Sequence, residues 1–413
     1  MDEKIVITGM GVIASNGIGK KAFWKALEQG HSGVKEISSF RTHGYETHIG
    51  GEVTDFKTDA TKSEDRAFQL LDVALAEAVA DLPAGLLAEK DERIRTGVAL
   101  GTCQGAILTG APLHRRYLKP AGEGTAEERA AFQQYLPGQG AHRVAHQLQL
   151  GGPTATLGMA CVSSAMSVLW AADQLRKGRA GRMLAGGFEA FSPFIFTGFH
   201  SLLALVSDYC RPFDANRSGT VLGEGAAVVV LERESDALAR GARIYAELKG
   251  AGYAGDAIHL TAPDREGGGL ARAMDMAFAQ AGIAKQDVGY INAHGTGTVF
   301  NDAMECAAFQ RFFGEAAARL PISSLKPFFG HCLGAVGGIE IVASTLAILH
   351  EFVPPTLNHQ LCPPEYPWDF IPNQGRAVPG LHTVLSTNSA FGGNNTALLL
   401  RRAERSQVTP DSL

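Results

Sequence analysis

Three features of this 413-residue chain predict an α/β fold. Strand-like apolar runs alternate with helical runs from end to end, the order expected when helices pack on a mostly parallel sheet. Glycine occurs 49 times, about 12% of the chain against an average near 7%, which implies many tight turns and close backbone approaches. The two halves also echo one another: LAGGFEAF…AAVVVLER and LSTNSAFGGNNTALLLRR both run from a strand through a glycine turn to an apolar strand ending on charge. Duplication and convergent strand grammar both account for that echo. The length suits two or three domains, or two packed halves of one large one.

Residues 4–8 (KIVIT) read as a buried strand running into the turn Gly9-Met10-Gly11. Lys20–Gln29 is helical, and residues 63–81 form a stronger helix with Ser63 as cap, an acidic first turn and Pro83 beyond its end. Thr96–Gly101 is a second strand-to-glycine turn, and residues 119–137 hold a polar helix that reads as a surface excursion. Residues 183–189 and 226–232 are buried strands with the turn-rich Arg211-Pro212-Phe213-Asp214 between them. A second series follows: a strand at 244–249, a helix at 268–281, a strand at 288–292, a helix at 334–349, and strands at 383–387 and 396–401. The polar end of the chain, from 403, reads as a frayed tail.

Composition narrows the function. A net charge of −5 gives no support for a nucleic-acid or membrane binder. Met1-Asp2-Glu3-Lys4 carries acid where a secretory leader needs a basic segment. The apolar stretch 333–353 is interrupted by Glu340, His350 and Glu351, so no clean membrane span is expected. Six cysteines without CxxC pairs or zinc-type spacing point to a reducing, cytoplasmic setting and to no metal site.

One cysteine stands apart. Cys161, in GGPTATLGMACVSSAMSVLW, lies between a strand-like run and a helix that begins at Ser163. Free N–H groups and the helix dipole at such a junction are expected to lower a thiol's pKa. Ala160, Ser163, Ser164 and Ala165 are small enough to let a substrate reach the sulfur. His294, in INAHGTGT, ends a buried strand, where α/β folds place ligand contacts. His331, in SSLKPFFGHCLGAVGGIE, lies between a strand and a glycine-rich helix start. A cysteine with one histidine suits acyl-thioester chemistry, and a second neutral histidine adds a donor for a second developing oxyanion. Lys326 and Glu340 are candidates to fix a ring's orientation, or form a structural ion pair. The turn at 388–395, NSAFGGNN, offers N–H groups for an oxyanion hole, or is a plain hairpin.

These motifs together resemble the β-ketoacyl-acyl carrier protein synthases, most closely the elongating type-II condensing enzymes. The match runs nearly end to end: VITGMGV, GPTATLGMACVSSA, RPFDANRSGTVLGEGAAVVVLE, NAHGTGTVFNDAMEC, SSLKPFFGHCLGAVGGIE and NSAFGGNN. The resemblance implies the thiolase fold, with two similar halves (1–240 and 241–413), each a mixed five-stranded sheet, in a five-layered αβαβα arrangement. It implies Cys161 as the acylated nucleophile, with His294 and His331 supporting decarboxylation of a malonyl unit. Lys326, Glu340, Asp302 and Glu305 would hold the histidines. The amides of Cys161 and Phe391, beside Gly392 and Gly393, would form the oxyanion hole, Phe391 also acting as a gate. Thr296 and Thr298 match positions that contact the phosphopantetheine arm. It further implies acyl carrier protein as partner, no cofactor for catalysis, and a homodimer or a heterodimer with a chain-length-factor-like paralogue.

Some residues depart from the family pattern. Met159 stands where Thr is usual, Ser389 and Ala390 replace Phe and Gly before the gate, and Gln104 replaces an apolar residue near the acyl pocket. These changes favour a short, oxygenated or unsaturated acyl chain and lean toward polyketide or polyene biosynthesis over housekeeping fatty acid synthesis. A thiolase is disfavoured because no cysteine follows Cys362; an inactive chain-length factor is disfavoured because Cys161, His294 and His331 are all present. Lys62, Arg66, Arg115, Arg116 and Lys119 are candidate contacts for the acidic carrier.

Overall fold

The computed structural model describes residues 3–59, 64–117, 125–136 and 138–404. Ten strands form its main sheet: β1 (Ile5–Ala14), β2 (Thr96–Gly101), β3 (Thr154–Leu157), β4 (Arg182–Glu189), β5 (Gly225–Arg233), β6 (Ala246–Gly255), β7 (Tyr290–Asn292), β8 (Ile322–Ser323), β9 (Thr383–Ala390) and β10 (Asn394–Arg401). Their order is β8-β7-β9-β10-β6-β1-β5-β4-β2-β3, with Gly17–Ile18 paired to β1 as a short extra strand. Strands such as β5 (GAAVVVLER) are apolar along almost their whole length, as a strand covered on both faces requires.

The order divides into two equal sets. In the first, β3-β2-β4-β5-β1, the β3–β2 and β2–β4 pairs are parallel and the other two antiparallel. In the second, β8-β7-β9-β10-β6, the same pattern recurs at every step. Numbered within its own set, each reads third-second-fourth-fifth-first. The echo seen in the sequence is therefore one topology used twice. The two sets meet through a short antiparallel ladder in which Ile5, Val6 and Ile7 of β1 face Leu248, Glu247 and Ala246 of β6.

Five helices complete the layers: α1 (Arg66–Ala80), α2 (Ser163–Arg176), α3 (Gly268–Ala281), α4 (Val299–Phe313) and α5 (Val336–His350). Helix α1 packs on β1 and β5, and α3 on β6 and β10, as outer layers. Helices α2 and α5 pack on one another, α2 against β4 and β2 of the first strand set and α5 against β5 and β9. A side chain at Gly337 of α5 would lie 3.0 Å from Ala165 Cβ of α2, so the bare backbone there sets the spacing of the helices. Residues 336–349 are buried throughout. The segment Leu333–His350 is long and apolar enough to cross a membrane, yet it is enclosed by the protein.

Several boundaries differ from expectation. Helix α1 starts at Arg66, where the Asp65 carboxylate accepts from Ala67 N at 2.9 Å; the expected cap, Ser63, lies outside the described residues. The excursion expected at 119–137 is described only in part. Its helix Ala126–Gln134 begins with a reciprocal Thr125–Glu128 capping box. The strand expected at 244–249 runs on to Gly255, because β10 supplies a partner along its length.

Candidate active site

In each half, the third strand leads through a 3-10 turn into a central helix. In the first half that turn is Ala160–Val162, followed by α2; in the second it is Leu333–Ala335, followed by α5. Each turn opens on a non-glycine residue of positive φ, Ala160 at 51° and Leu333 at 47°, a conformation that persists only where surrounding structure enforces it. Because α2 and α5 pack together, their N-termini converge. Cys161 Sγ lies 3.0 Å from His331 Nε2, and the rings of His331 and His294 stand 5.2 Å apart, nearly perpendicular.

Cys161 is only 6% exposed. Burial pushes its thiol up to about 12, with the Lys326 charge the largest opposing influence. This corrects the expectation of a thiol lowered by the helix N-terminus: desolvation outweighs the dipole, and the resting group is a neutral S–H facing His331.

His294 follows β7 in a loop anchored from beneath. Lys326 Nζ lies 3.2 Å from His294 Nδ1, also donates to the His294 carbonyl, and pairs with Glu340 Oε1 at 3.0 Å. Asn388 donates to Glu340 Oε2 at 2.5 Å, with the same nitrogen 3.4 Å from His294 Nδ1. An ammonium has only donors, so His294 Nδ1 must be an acceptor and the ring proton resides on Nε2. Burial, the Lys326 charge and His331 hold His294 well below the usual imidazole range. Burial and Lys326 do the same to His331. Both rings are neutral at physiological pH.

Two buried carboxylates shape the 294–298 loop. Glu305 accepts from the amides of His294 (2.8 Å) and Gly295 (2.6 Å); burial and the neighbouring Asp302 raise it to about 7. Asp302 accepts from Phe213 N and Gly297 N, and burial raises it too. The hydroxyls of Thr296 and Thr298 meet at 2.8 Å.

Cys161, His294, His331, Thr296, Thr298, Phe391 and Gly393 all line one cavity of about 320 Å³, along with Leu203, Phe300 and other residues at its mouth. Phe391 is 39% exposed and stacks on Phe199 at 5.6 Å. Gly392 and Gly393 take φ of 86° and 74°, but their amides are engaged by Leu260 O and Ala390 O. Expectation is thereby narrowed: the glycines shape the turn, and their own amides are already engaged by protein carbonyls.

Met159 and Gln104 do not line this cavity. Met159 N bonds Ser163 Oγ, and the Gln104 side chain accepts from Ser192 Oγ at 2.6 Å. Of the basic residues considered for docking, Arg66 is committed to the buried Glu224 at 2.6 Å. Lys62 and Lys119 lie outside the described residues, as do the side chains of Arg115 and Arg116. Sequence reasoning missed Asn388, Phe199 and Glu189. Glu189 is legible afterwards as a carboxylate ending a strand that is apolar after its first residue, Arg182.

The donor atoms of Cys161, His294 and His331 lie within 4.8 Å of one another. One thiol and two imidazoles also make a donor set that zinc accepts. The Lys326 ammonium against His294, however, sets a positive charge beside the cluster and favours an anion there. A buried thiol and two neutral imidazoles around one cavity form a set suited to thioester chemistry.

Comparison with known proteins gives the family. Residues 2–237 match the beta-ketoacyl synthase N-terminal domain and residues 245–360 its C-terminal domain. The chain is 38% identical to a putative polyketide beta-ketoacyl synthase 1 of Streptomyces halstedii, covering 98% of this chain and 99% of that protein. It is 35% identical to 3-oxoacyl-[acyl-carrier-protein] synthase 2 of Staphylococcus aureus, over 98% and 99%. The solved ishigamide ketosynthase/chain length factor superposes with a TM-score of 0.90 at 35% identity, covering 98% of this chain and 100% of that one. The chain belongs to the β-ketoacyl synthase family, the carbon–carbon bond-forming acyltransferases of thiolase fold.

Proposed function

We propose that this protein condenses an acyl group held on Cys161 with malonyl-acyl carrier protein, releasing carbon dioxide and 3-oxoacyl-acyl carrier protein. The 3.0 Å contact between Cys161 Sγ and His331 Nε2 carries this reading. In the first step the thiol sulfur attacks the acyl thioester, His331 takes the thiol proton, and the departing carrier thiolate receives it. The amides of Cys161 and Phe391 stabilise the tetrahedral oxyanion. Once the sulfur is acylated it has no proton to give, and His331 Nε2 is free to carry a hydrogen. His294 and His331 then donate to the malonyl thioester oxygen as the C–CO₂ bond breaks. The freed electron pair becomes the new C–C bond to the acyl carbon, and the Cys161 thiolate leaves and is reprotonated from solvent. Electrons balance between the two thioesters, so no redox cofactor is called for. Lys326, Glu340, Asp302 and Glu305 hold the histidines; Thr296 and Thr298 receive the pantetheine arm at the cavity mouth.

The division at 240/241 falls between β5 and β6, and we read 1–240 and 241–413 as the nucleophile-bearing and histidine-bearing halves. Strand β3 (TATL) is an edge with partly exposed residues, which supports pairing with a second subunit, either a copy of this chain or a chain-length-factor-like relative. Polyketide ketosynthases among the relatives support a polyketide-type pathway; Gln104, held by Ser192 outside the cavity, supports no particular acyl chain. Intact-protein mass after mixing with a panel of acyl-carrier thioesters tests the assignment. One acyl mass is expected on the protein and none on Cys161→Ala; acylation of the variant would overturn it.

A further inference from the structure

The fully buried carboxylate of Glu189 is unused by this mechanism. Glu189, at the end of β4, is 0% exposed and has no cationic partner among the described residues. Its oxygens accept four hydrogen bonds: from Cys103 N at 2.7 Å, Gln104 N at 3.0 Å, Thr102 Oγ1 at 3.2 Å and Gly334 N at 3.1 Å. Three of these donors belong to the loop after β2. The fourth belongs to the 3-10 turn that follows His331.

Those two segments are in direct contact. A Cβ placed on Gly334 would lie 2.6 Å from Cys103 N and Thr102 Cα, so only a bare backbone fits between them. Leu333, between His331 and Gly334 in the chain, sits at φ 47°, a strained state for a branched side chain that needs an external hold. Glu189 supplies that hold through the Gly334 amide. The second half offers a parallel. There the loop after its second strand also gives two consecutive amides, those of His294 and Gly295, to a buried carboxylate, Glu305.

We propose that Glu189 is a positioning residue for the condensation: it clamps the 102–104 loop to the turn after His331 and so fixes His331 against Cys161. The proposal rests on the roles assigned above to Cys161 and His331. Because its negative charge lies near the sulfur, Glu189 also favours the protonated thiol of the resting site.

Glu189→Gln keeps the size and removes the charge; Glu189→Asp keeps the charge on a shorter arm. Alkylation of Cys161 by iodoacetamide at fixed, mildly alkaline pH, read at that residue by peptide mass, is expected to rise about three-fold or more in Glu189→Gln. It should stay at the wild-type rate in Glu189→Asp. Malonyl decarboxylation in Glu189→Gln should lose about ten-fold in kcat with KM within about two-fold, and Glu189→Asp should recover part of it. An unchanged alkylation rate in Glu189→Gln, an equal rise in both variants, or a loss confined to KM would each overturn the clamp. If Glu189→Gln does not fold, Thr102→Val removes one of the four donors and should lower kcat about three-fold; wild-type kcat in that variant would overturn it. Acylation of Cys161→Ala, by contrast, would remove the underlying reading and leave the Glu189 results to stand alone.

Discussion

The two halves share a strand order and diverge in chemistry. In both, a loop after the second strand gives two successive amides to a buried carboxylate raised to about 7, Glu189 in the first half and Glu305 in the second. The carboxylate comes from strand β4 in one case and helix α4 in the other, so the loop's need for an acceptor was met by different elements. Among the described residues, only the second half adds a cation at this loop. Lys326 turns that loop into a seat for a neutral His294 with its proton on Nε2, whereas the matching loop of the first half carries the exposed Cys103. The central turns divide similarly: the first presents Cys161 to the cavity, and the second keeps Gly334 in the equivalent place because the neighbouring loop leaves no room. On the proposed reading, one frame used twice carries the nucleophile on one side and the oxyanion donors on the other.

The largest effect should come from removing the cation that makes the halves differ. Lys326→Met leaves Glu340 buried without its partner, which costs about 3–5 kcal/mol, and frees the His294 ring from its fixed tautomer. Decarboxylation is expected to fall about 100-fold, with denaturant unfolding recording the stability loss; wild-type stability and turnover would reduce Lys326 to a bystander.

A smaller effect should follow from making the two central turns more alike. Gly334→Ala places a methyl against the Thr102–Cys103 backbone and should cost about 1–3 kcal/mol. Cys161 acylation is expected to slow about ten-fold as His331 shifts, measured by the time course of the mass gain. An unaffected rate would mean that the turn has slack.

The smallest expected effect is on pH dependence of stability. His294 and His331 have folded pKa values held well below 6.5, so their contribution is present above pH 6.5 and is lost as pH falls, when the unfolded chain binds protons there. Glu189 and Glu305, raised to about 7, act in the opposite sense, stabilising the fold as pH drops from 7 toward 4.5. A His294→Asn, His331→Asn double variant keeps the carboxylates and removes the histidine term. Its Tm should fall less than wild type between pH 7.5 and 5.5; an equal fall would show that the histidines do not control acid stability.

Much of this was legible in the chain. Apolar runs such as AAVVVLE and the helix at 268–281 were set by patterning, because burial of both sheet faces leaves little freedom in residue type. Cys161, His294 and His331 were legible because each stands among small residues at the end of a strand or the start of a helix, where a side chain can reach a ligand. Asn388 and Glu189 were not. Their roles depend on which distant amide or carboxylate faces them, and no local pattern encodes that.

By itself the sequence determined the α/β alternation and the family, and it singled out the three side chains proposed as reactive, since each depends on residue type and near neighbours. Tertiary structure alone decided the thiol's state, the histidine tautomer, which amides beside Phe391 are engaged, and the retirement of Arg66 into an ion pair with Glu224. Those outcomes depend on desolvation and on partners far apart in the chain, and both come into being only when the chain folds.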